Sequence, residues 1–131
     1  MRLRITPASF LTRFAIALVW LYEGLWSKLL ARSPHHAAVV RAVPFLSAGA
    51  ARAALIALGL AECAIAAWVL WGRYMRSAAL AQTCLLVAMN AGGLIWAWRL
   101  TPDPGGMVVQ NFAFLILIWI AAEDRPYASQ N

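Results

Sequence analysis

Charged residues are scarce in this sequence, and acidic ones are especially rare. Only five of its 131 residues are Asp or Glu, and 12% are charged in total, whereas roughly 25% of an ordinary soluble domain is charged. Hydrophobic residues make up 63%. A soluble fold of this length could not bury so much apolar surface, but a lipid bilayer solvates it. The composition therefore predicts an integral membrane protein with one domain, residues 1–131.

The patterns of most catalytic, metal and redox sites are also missing. The two cysteines, Cys63 and Cys84, form neither a CxxC pair nor a zinc spacing. The two histidines, His35 and His36, are adjacent, so they point to different sides of a helix and make a poor metal pair. No nucleophile–base arrangement, phosphate loop or series of helical histidines for haem is present. We therefore predict no metal site, no catalytic residue and no covalently held cofactor.

The positive net charge does not indicate a nucleic-acid partner. The formal charge is +6, but the basic residues lie at or near the ends of apolar stretches, where Arg and Lys anchor membrane helices at the lipid headgroups. No basic run with interleaved aromatic residues occurs. The sequence therefore predicts membrane lipids, rather than nucleic acid, as the molecules around this chain.

Four segments are long and apolar enough to span a bilayer, which requires about 20 residues. They cover residues 9–30, 51–71, 77–98 and 107–122, and they predict an all-α, four-helix transmembrane bundle. Between the first two spans, Ser33 and Pro34 have the form of a helix N-cap and first helical residue, and Pro44 would end a short helix. We expect an interfacial helix there, with an ordinary loop as the alternative.

The distribution of basic residues gives a small bias in orientation. With four spans both termini share a side, and that side carries six basic residues against five on the other. The six are Arg2, Arg4, Arg13, Arg73, Arg76 and Arg125, and the five are Lys28, Arg32, Arg41, Arg52 and Arg99. Because cytoplasmic loops are enriched in Lys and Arg, this count predicts that both termini are cytoplasmic.

Each predicted span contains polar residues that are costly in hydrocarbon. An acidic side chain at mid-membrane costs at least about 2.5–3.5 kcal/mol. At a rise of about 1.5 Å per residue, these groups all fall between the midplane and the side opposite the termini. The candidate ligand-binding residues are Glu23, Lys28, Glu62, Asn90, Gln110 and Asn111. Their common depth predicts one polar pocket open to that side, with nothing of comparable cost in the other half.

Each candidate also has a purely structural interpretation. Asn90 could be a hydrogen-bonding partner between helices, and Gln110 and Asn111 could cap the fourth span. Glu23 and Lys28 are five residues apart, about 140° around an α-helix, so Lys28 could instead extend to the headgroups. Glu62 must be either protonated and hydrogen-bonded or paired with a cation or ligand.

Three short motifs resemble those of a known membrane family, the DoxX-like proteins. They are Leu21-Tyr-Glu-Gly-Leu-Trp-Ser-Lys-Leu-Leu30 in the first span, Leu58-Gly-Leu-Ala-Glu62 in the second, and Asp103-Pro-Gly-Gly followed by Asn111-Phe112 at the fourth. The resemblance implies a four-helix bundle in the bacterial inner membrane. The founding member is the small subunit of a thiosulfate:quinone oxidoreductase, and relatives are associated with membrane redox complexes. Gly24, Lys28, Glu62 and Asn111 match the family's motifs, whereas Glu23 stands where the family varies, often with His.

Three functions are compatible with these features. The first is an accessory or small-ligand-binding subunit of a membrane redox system, with a quinone or a lipid as the ligand and an oxidoreductase subunit as a partner. The second is a quinone-linked oxidoreductase acting on its own, with Glu62 as proton donor or acceptor. The third is a structural membrane partner whose polar groups only lock the bundle. A second copy of the chain is a further expected partner.

Overall fold

The computed structural model describes residues 7–124, and within that range all regular secondary structure is helical. Four helices are long and apolar enough to cross a membrane: Pro7–Leu29, Ala48–Trp71, Met75–Trp96 and Pro104–Glu123. They match the four predicted spans within a few residues at each end. The predicted all-α fold with four long apolar helices is confirmed. Arg2, Arg4 and Arg125, which entered the orientation prediction, lie outside the described residues.

The first span consists of two differently wound parts. It begins as an α-helix, α1 (Pro7–Leu21), and continues as a π-helical segment (Tyr22–Leu29). Within that wider winding the amide of Leu30 donates to the carbonyl of Leu25 at 2.8 Å, five residues back instead of four. Ala31, with a left-handed φ of 51°, follows the segment. Such π-helical turns are rare and occur frequently at functional sites.

The short helix expected between the first two spans is also confirmed. This helix, α2 (Pro34–Arg41), starts at Pro34 after an extended Ser33, as predicted, but it ends at Arg41 and does not continue up to the residue before Pro44. It has no fully buried residue and packs against the π-helical segment and the following span. The alternative of an ordinary loop is therefore wrong, and α2 lies across one end of the bundle.

The other helix ends follow from local chemistry. The second span, α3 (Ala48–Trp71), is capped by Ser47, whose hydroxyl accepts from the amide of Ala50 at 3.2 Å. It ends at Gly72, whose φ of 72° permits the tight turn into α4 (Met75–Trp96). A 3₁₀ turn (Trp98–Leu100) then leads to α5 (Pro104–Glu123), capped by Asp103.

The packing divides the bundle into two pairs of helices. The first span packs mainly against α3, and α4 packs mainly against α5, with α1 also contacting α5. The core at this junction contains Ile16, Trp20, Ile65, Val69 and Ile118, each at most 8% exposed. Large apolar side chains such as Leu18, Ile95 and Ile120 point outward instead. A bilayer solvates that surface, and the chain is a multi-pass membrane protein.

Candidate functional site

A cavity of about 750 Å³ lies in the half of the bundle that is nearer to α2. Its wall is formed by the end of α1, the π-helical segment, α2, α3, α4 and α5. The six residues selected from the sequence all line it: Glu23, Lys28, Glu62, Asn90, Gln110 and Asn111. The structure therefore brings together residues from all four spans around one space. Whether they bind a ligand remains a prediction.

A buried ion pair joins the first span to α3 in this wall. The Lys28 ammonium donates to Glu62 Oε1 at 3.0 Å and lies 2.9 Å from Oε2. The two side chains are only 3% and 0% exposed. Of the alternatives for Glu62, pairing with a cation describes the structure, and the interpretation that Lys28 extends to the headgroups is wrong. A pair this buried is retained only with close geometry, because desolvation of each charge is costly.

Two glycines allow the helices to approach closely enough for that pair. A Cβ added at Gly24 would lie 2.7 Å from the carbonyl oxygen of Gly59 and 2.8 Å from the Cβ of Glu62. A Cβ added at Gly59 would lie 3.0 Å from the carbonyl oxygen of Gly24. Small residues are typical of close helix crossings in membranes. The backbone contact between Gly24 and Gly59 therefore positions Lys28 opposite Glu62.

Glu23 extends the ion pair toward α2. Its Oε2 lies 3.8 Å from Lys28 Nζ and 3.5 Å from His36 Nε2, and its backbone carbonyl accepts from Lys28 Nζ at 3.3 Å. The α-helical expectation that Glu23 and Lys28 diverge by about 140° is wrong, because π-helical winding brings residues five apart to the same side. Burial, together with the Lys28 charge, lowers the pKa of His36, although Glu23 opposes that shift.

The opposite wall of the cavity carries amides. Asn111 donates to Asn90 Oδ1 at 2.7 Å, and the Asn90 amide donates to the carbonyl of Leu86, also at 2.7 Å. Asn90 thus bonds α4 to α5, as its structural interpretation predicted. Gln110 and Asn111 do not cap α5, since Asp103 does so by accepting from the amide of Gly106 at 2.9 Å. Amide groups that both donate and accept are therefore available on this side.

The model of the DoxX-like family matches residues 17–119, which include the whole cavity wall. This chain belongs to the DoxX-like family. Searches of curated proteins and of solved structures found no match.

The residues that the family resemblance singled out have distinct places in this DoxX-like protein. Lys28 and Glu62 form the buried pair, Gly24 lies at the helix crossing behind it, and Asn111 bonds Asn90 on the facing wall. Glu23 lies between the ion pair and His36. It is therefore the residue through which the ion pair meets α2.

Sequence reasoning missed a buried polar residue, Gln82, in the half of α4 nearer to its start, where it meets Trp20 at the edge of the cavity. Trp20 Nε1 donates to Gln82 Oε1 at 2.8 Å, and Gln82 donates to the carbonyl of Ala78 at 3.1 Å. Trp20 and Gln82 are 2% and 1% exposed. The expectation that this half lacks costly polar groups is therefore wrong. The available signal in the sequence was a Gln in one predicted span and a Trp in another, because the two side chains can hydrogen-bond to each other.

The chemistry available in this wall is hydrogen bonding and charge pairing. Cys63 and Cys84 are both free thiols, and within residues 7–124 no group of three or more His, Cys, Asp or Glu could hold a metal ion. His35 and His36, set aside as a metal pair, both line the cavity. The cavity therefore combines a few polar groups with apolar walls, an arrangement typical of ligand sites.

Proposed function

We propose that this DoxX-like protein binds a small amphipathic molecule, a quinone or a lipid, as an accessory subunit of a membrane redox system. The observation that carries the proposal is the convergence of six polar side chains from four spans on one cavity. Ligand pockets typically have volumes of about 300–1,000 Å³ and are mostly apolar with a few placed polar groups. The cavity of about 750 Å³ falls within that range.

The wall suits a molecule with a polar head and an apolar tail. The wall combines charged and amide groups with apolar side chains such as Leu55, Leu85 and Phe114. The carbonyl or hydroxyl groups of a quinone head, or the head of a lipid, would find hydrogen-bonding partners among the polar residues. The hydrocarbon tail would pack along the apolar side chains.

Catalysis by this chain alone is less well supported. In that alternative Glu62 would exchange protons with a bound quinone, but its side chain is 0% exposed and already paired with Lys28. Purified protein supplied with a quinone acceptor and candidate electron donors should therefore oxidise none of them. Turnover by the isolated chain, lost in Glu62→Gln, would favour the enzyme instead.

A purely structural role is the other alternative, and the Asn90–Asn111 and Trp20–Gln82 hydrogen bonds favour it for those residues. It predicts that Glu62→Gln protein that folds still associates with its partners, although the unpaired Lys28 lowers its stability. The accessory role predicts that the folded protein has lost its bound molecule. Size-exclusion chromatography in detergent, followed by lipid extraction and mass spectrometry, distinguishes the two outcomes.

The cellular setting is part of the same proposal. We place the protein in the bacterial inner membrane with both termini in the cytoplasm, so that the cavity lies in the outer half of the bilayer. An oxidoreductase subunit, and in addition a second copy of the chain, would contact the apolar outer surface. Chemical crosslinking in native membranes, followed by purification through a tag on this chain, tests both partners.

Native mass spectrometry can detect a bound molecule without any assumption about its identity. Protein extracted gently from its own membrane should carry one small molecule of defined mass that dissociates on activation. Ala54 lines the cavity on α3, whereas the exposed Ala57 on the same helix does not. Ala54→Trp should lose the molecule and Ala57→Trp should retain it. Retention by both variants would place the molecule outside the cavity.

A further inference from the structure

The charges that line the cavity do not cancel. Its wall contains three groups that are ordinarily charged: Glu23, Lys28 and Glu62. Lys28 and Glu62 neutralise each other at 2.9 Å, so one carboxylate, that of Glu23, is left over. The lowered pKa of His36 favours its neutral form near neutral pH, so it does not balance Glu23.

The ammonium in this wall is surrounded by oxygens of the protein itself. Lys28 Nζ donates to Glu62 Oε1 at 3.0 Å and to the backbone carbonyl of Glu23 at 3.3 Å, and it lies 2.9 Å from Glu62 Oε2 and 3.8 Å from Glu23 Oε2. Its side chain is only 3% exposed. An incoming anion would have to displace Glu62 and leave a buried carboxylate unpaired.

The nearby arginines are not part of the wall either. Arg32 lies over the ring of Trp26 at 5.5 Å, and Arg99 lies over the ring of Trp98 at 5.2 Å. Neither residue lines the cavity. Among the described residues, the cavity therefore offers an anion no free cationic side chain.

The Glu23 carboxylate, by contrast, is both held in place and accessible. Lys28 and His36 flank its Oε2 at 3.8 and 3.5 Å, and the side chain remains 37% exposed. A carboxylate accepts hydrogen bonds and cannot donate them. It is thus an acceptor facing the cavity, and unlike Glu62 it is not buried against the Lys28 ammonium.

We propose that the cavity selects a head group that donates hydrogen bonds, either uncharged or cationic, that Glu23 is the acceptor that recognises it, and that anionic heads are excluded. This inference rests on the proposed ligand-binding function and narrows its chemistry. A hydroxylated, reduced quinone head would fit, as would an amine. A carboxylate or an inorganic oxyanion would not.

Three probes with the same ring and tail test this selectivity: para-decylphenol, para-decylbenzylamine and para-decylbenzoate. Their binding to the purified full chain in detergent is measured near neutral pH by native mass spectrometry. A hydrogen bond to a charged group contributes about 1.5–3 kcal/mol, which corresponds to about ten- to hundredfold in affinity. The phenol and the amine should bind at least about tenfold more tightly than the benzoate.

Two variants separate the role of Glu23 from that of net charge. Glu23→Gln should weaken binding of the phenol and the amine about ten- to hundredfold. The affinities of the three probes should therefore become more similar. Glu123→Gln removes an equal charge from an exposed residue near the end of α5 that pairs with Arg76, and should preserve the order. The order of the three probe affinities for the unsubstituted chain tests the proposal even where a variant fails to fold.

The failures of the two proposals are distinguishable. Tightest binding of the benzoate, lost in Ala54→Trp, would overturn the selectivity and leave ligand binding in the cavity intact. An unchanged order in Glu23→Gln would likewise overturn the role of Glu23. Absence of binding by all three probes, or equal binding by Ala54→Trp, would overturn both proposals.

Discussion

Lys28 in the π-helical segment and Glu62 in α3 form an ion pair in which the side chains are 3% and 0% exposed. Removing one partner of such a pair leaves an uncompensated buried charge. We therefore expect Lys28→Met to reduce the free energy of unfolding by about 3–5 kcal/mol. The change is measured by unfolding the protein in mixed micelles of a mild detergent and sodium dodecyl sulfate, with circular dichroism as the probe of helical content.

Two controls accompany this prediction. The double variant Lys28→Met/Glu62→Met should recover most of the loss, because an apolar pair of similar volume has no desolvation cost. Arg76→Gln breaks the exposed pair with Glu123, with N–O separation 2.9 Å, and should cost at most about 1 kcal/mol. A double variant as unstable as Lys28→Met would contradict the account of the pair.

The close helix crossing gives the second prediction. Gly24→Ala should destabilise the bundle by about 1–3 kcal/mol, since the added methyl group overlaps the backbone of Gly59 and the Cβ of Glu62. Gly49→Ala, at the start of α3 where nothing lies within 4 Å of the added Cβ, should be neutral or slightly stabilising. The same mixed-micelle unfolding compares them. Equal stability of the two variants would show that the crossing is looser than described.

The buried hydrogen bond between Trp20 and Gln82 gives the third prediction. Gln82→Leu should cost about 1–3 kcal/mol, because it leaves the indole N–H of Trp20 buried without an acceptor. Adding Trp20→Phe should recover part of that loss, since both polar groups are then gone. A double-variant cycle in detergent measures the coupling between them. A coupling near zero would mean that the bond contributes no stability.

The docking of α2 gives the fourth prediction, a dependence on pH. The groups facing His36 are Glu23 and Lys28 on the π-helical segment and His35 on its own helix, and burial holds its pKa below the ordinary value of 6.5. The folded state then binds fewer protons than the unfolded state, so the docked conformation is favoured above about pH 6.5 and weakens as pH falls through the lowered pKa.

Hydrogen exchange by mass spectrometry detects this change. Amides of α2 should exchange faster below about pH 6.5, after correction for the intrinsic rate, while those of α3 stay protected. His36→Asn should remove most of the pH dependence, and His35→Asn should leave it. Pronounced protection of α2 that is constant with pH would contradict the role of His36.

The spans and the polar residues could be predicted from the sequence because both depend on local composition. Hydropathy identified the four spans, and the depth calculation placed Glu62 and Asn90 at levels that the structure brings to one cavity. The π-helical winding was not predictable from hydropathy, because that pattern does not distinguish four-residue from five-residue hydrogen bonding. This winding brings Glu23 and Lys28 to the same side of the helix. The prediction that the two side chains diverge was therefore wrong.

The other errors concern pairings between distant parts of the chain. Whether Lys28 extends to the headgroups or turns inward depends on the crossing at Gly24 and Gly59, which no single helix reveals. Gln82 was missed because the partner of its side-chain oxygen is Trp20, 62 positions earlier in the chain. The family resemblance identified Lys28 and Glu62 as related positions but did not state that they form a pair.

Binding of a quinol to the cavity tests the central claim most directly. The purified protein in detergent is titrated in an isothermal calorimeter with a short-chain quinol that is kept reduced. The titration should show one saturable site per chain. Ala54→Trp should abolish that site with unchanged helical content, and Ala57→Trp should bind like the unsubstituted chain. Saturable binding that survives in Ala54→Trp, or no saturable binding by the unsubstituted chain, would contradict the claim that these polar residues form a ligand site.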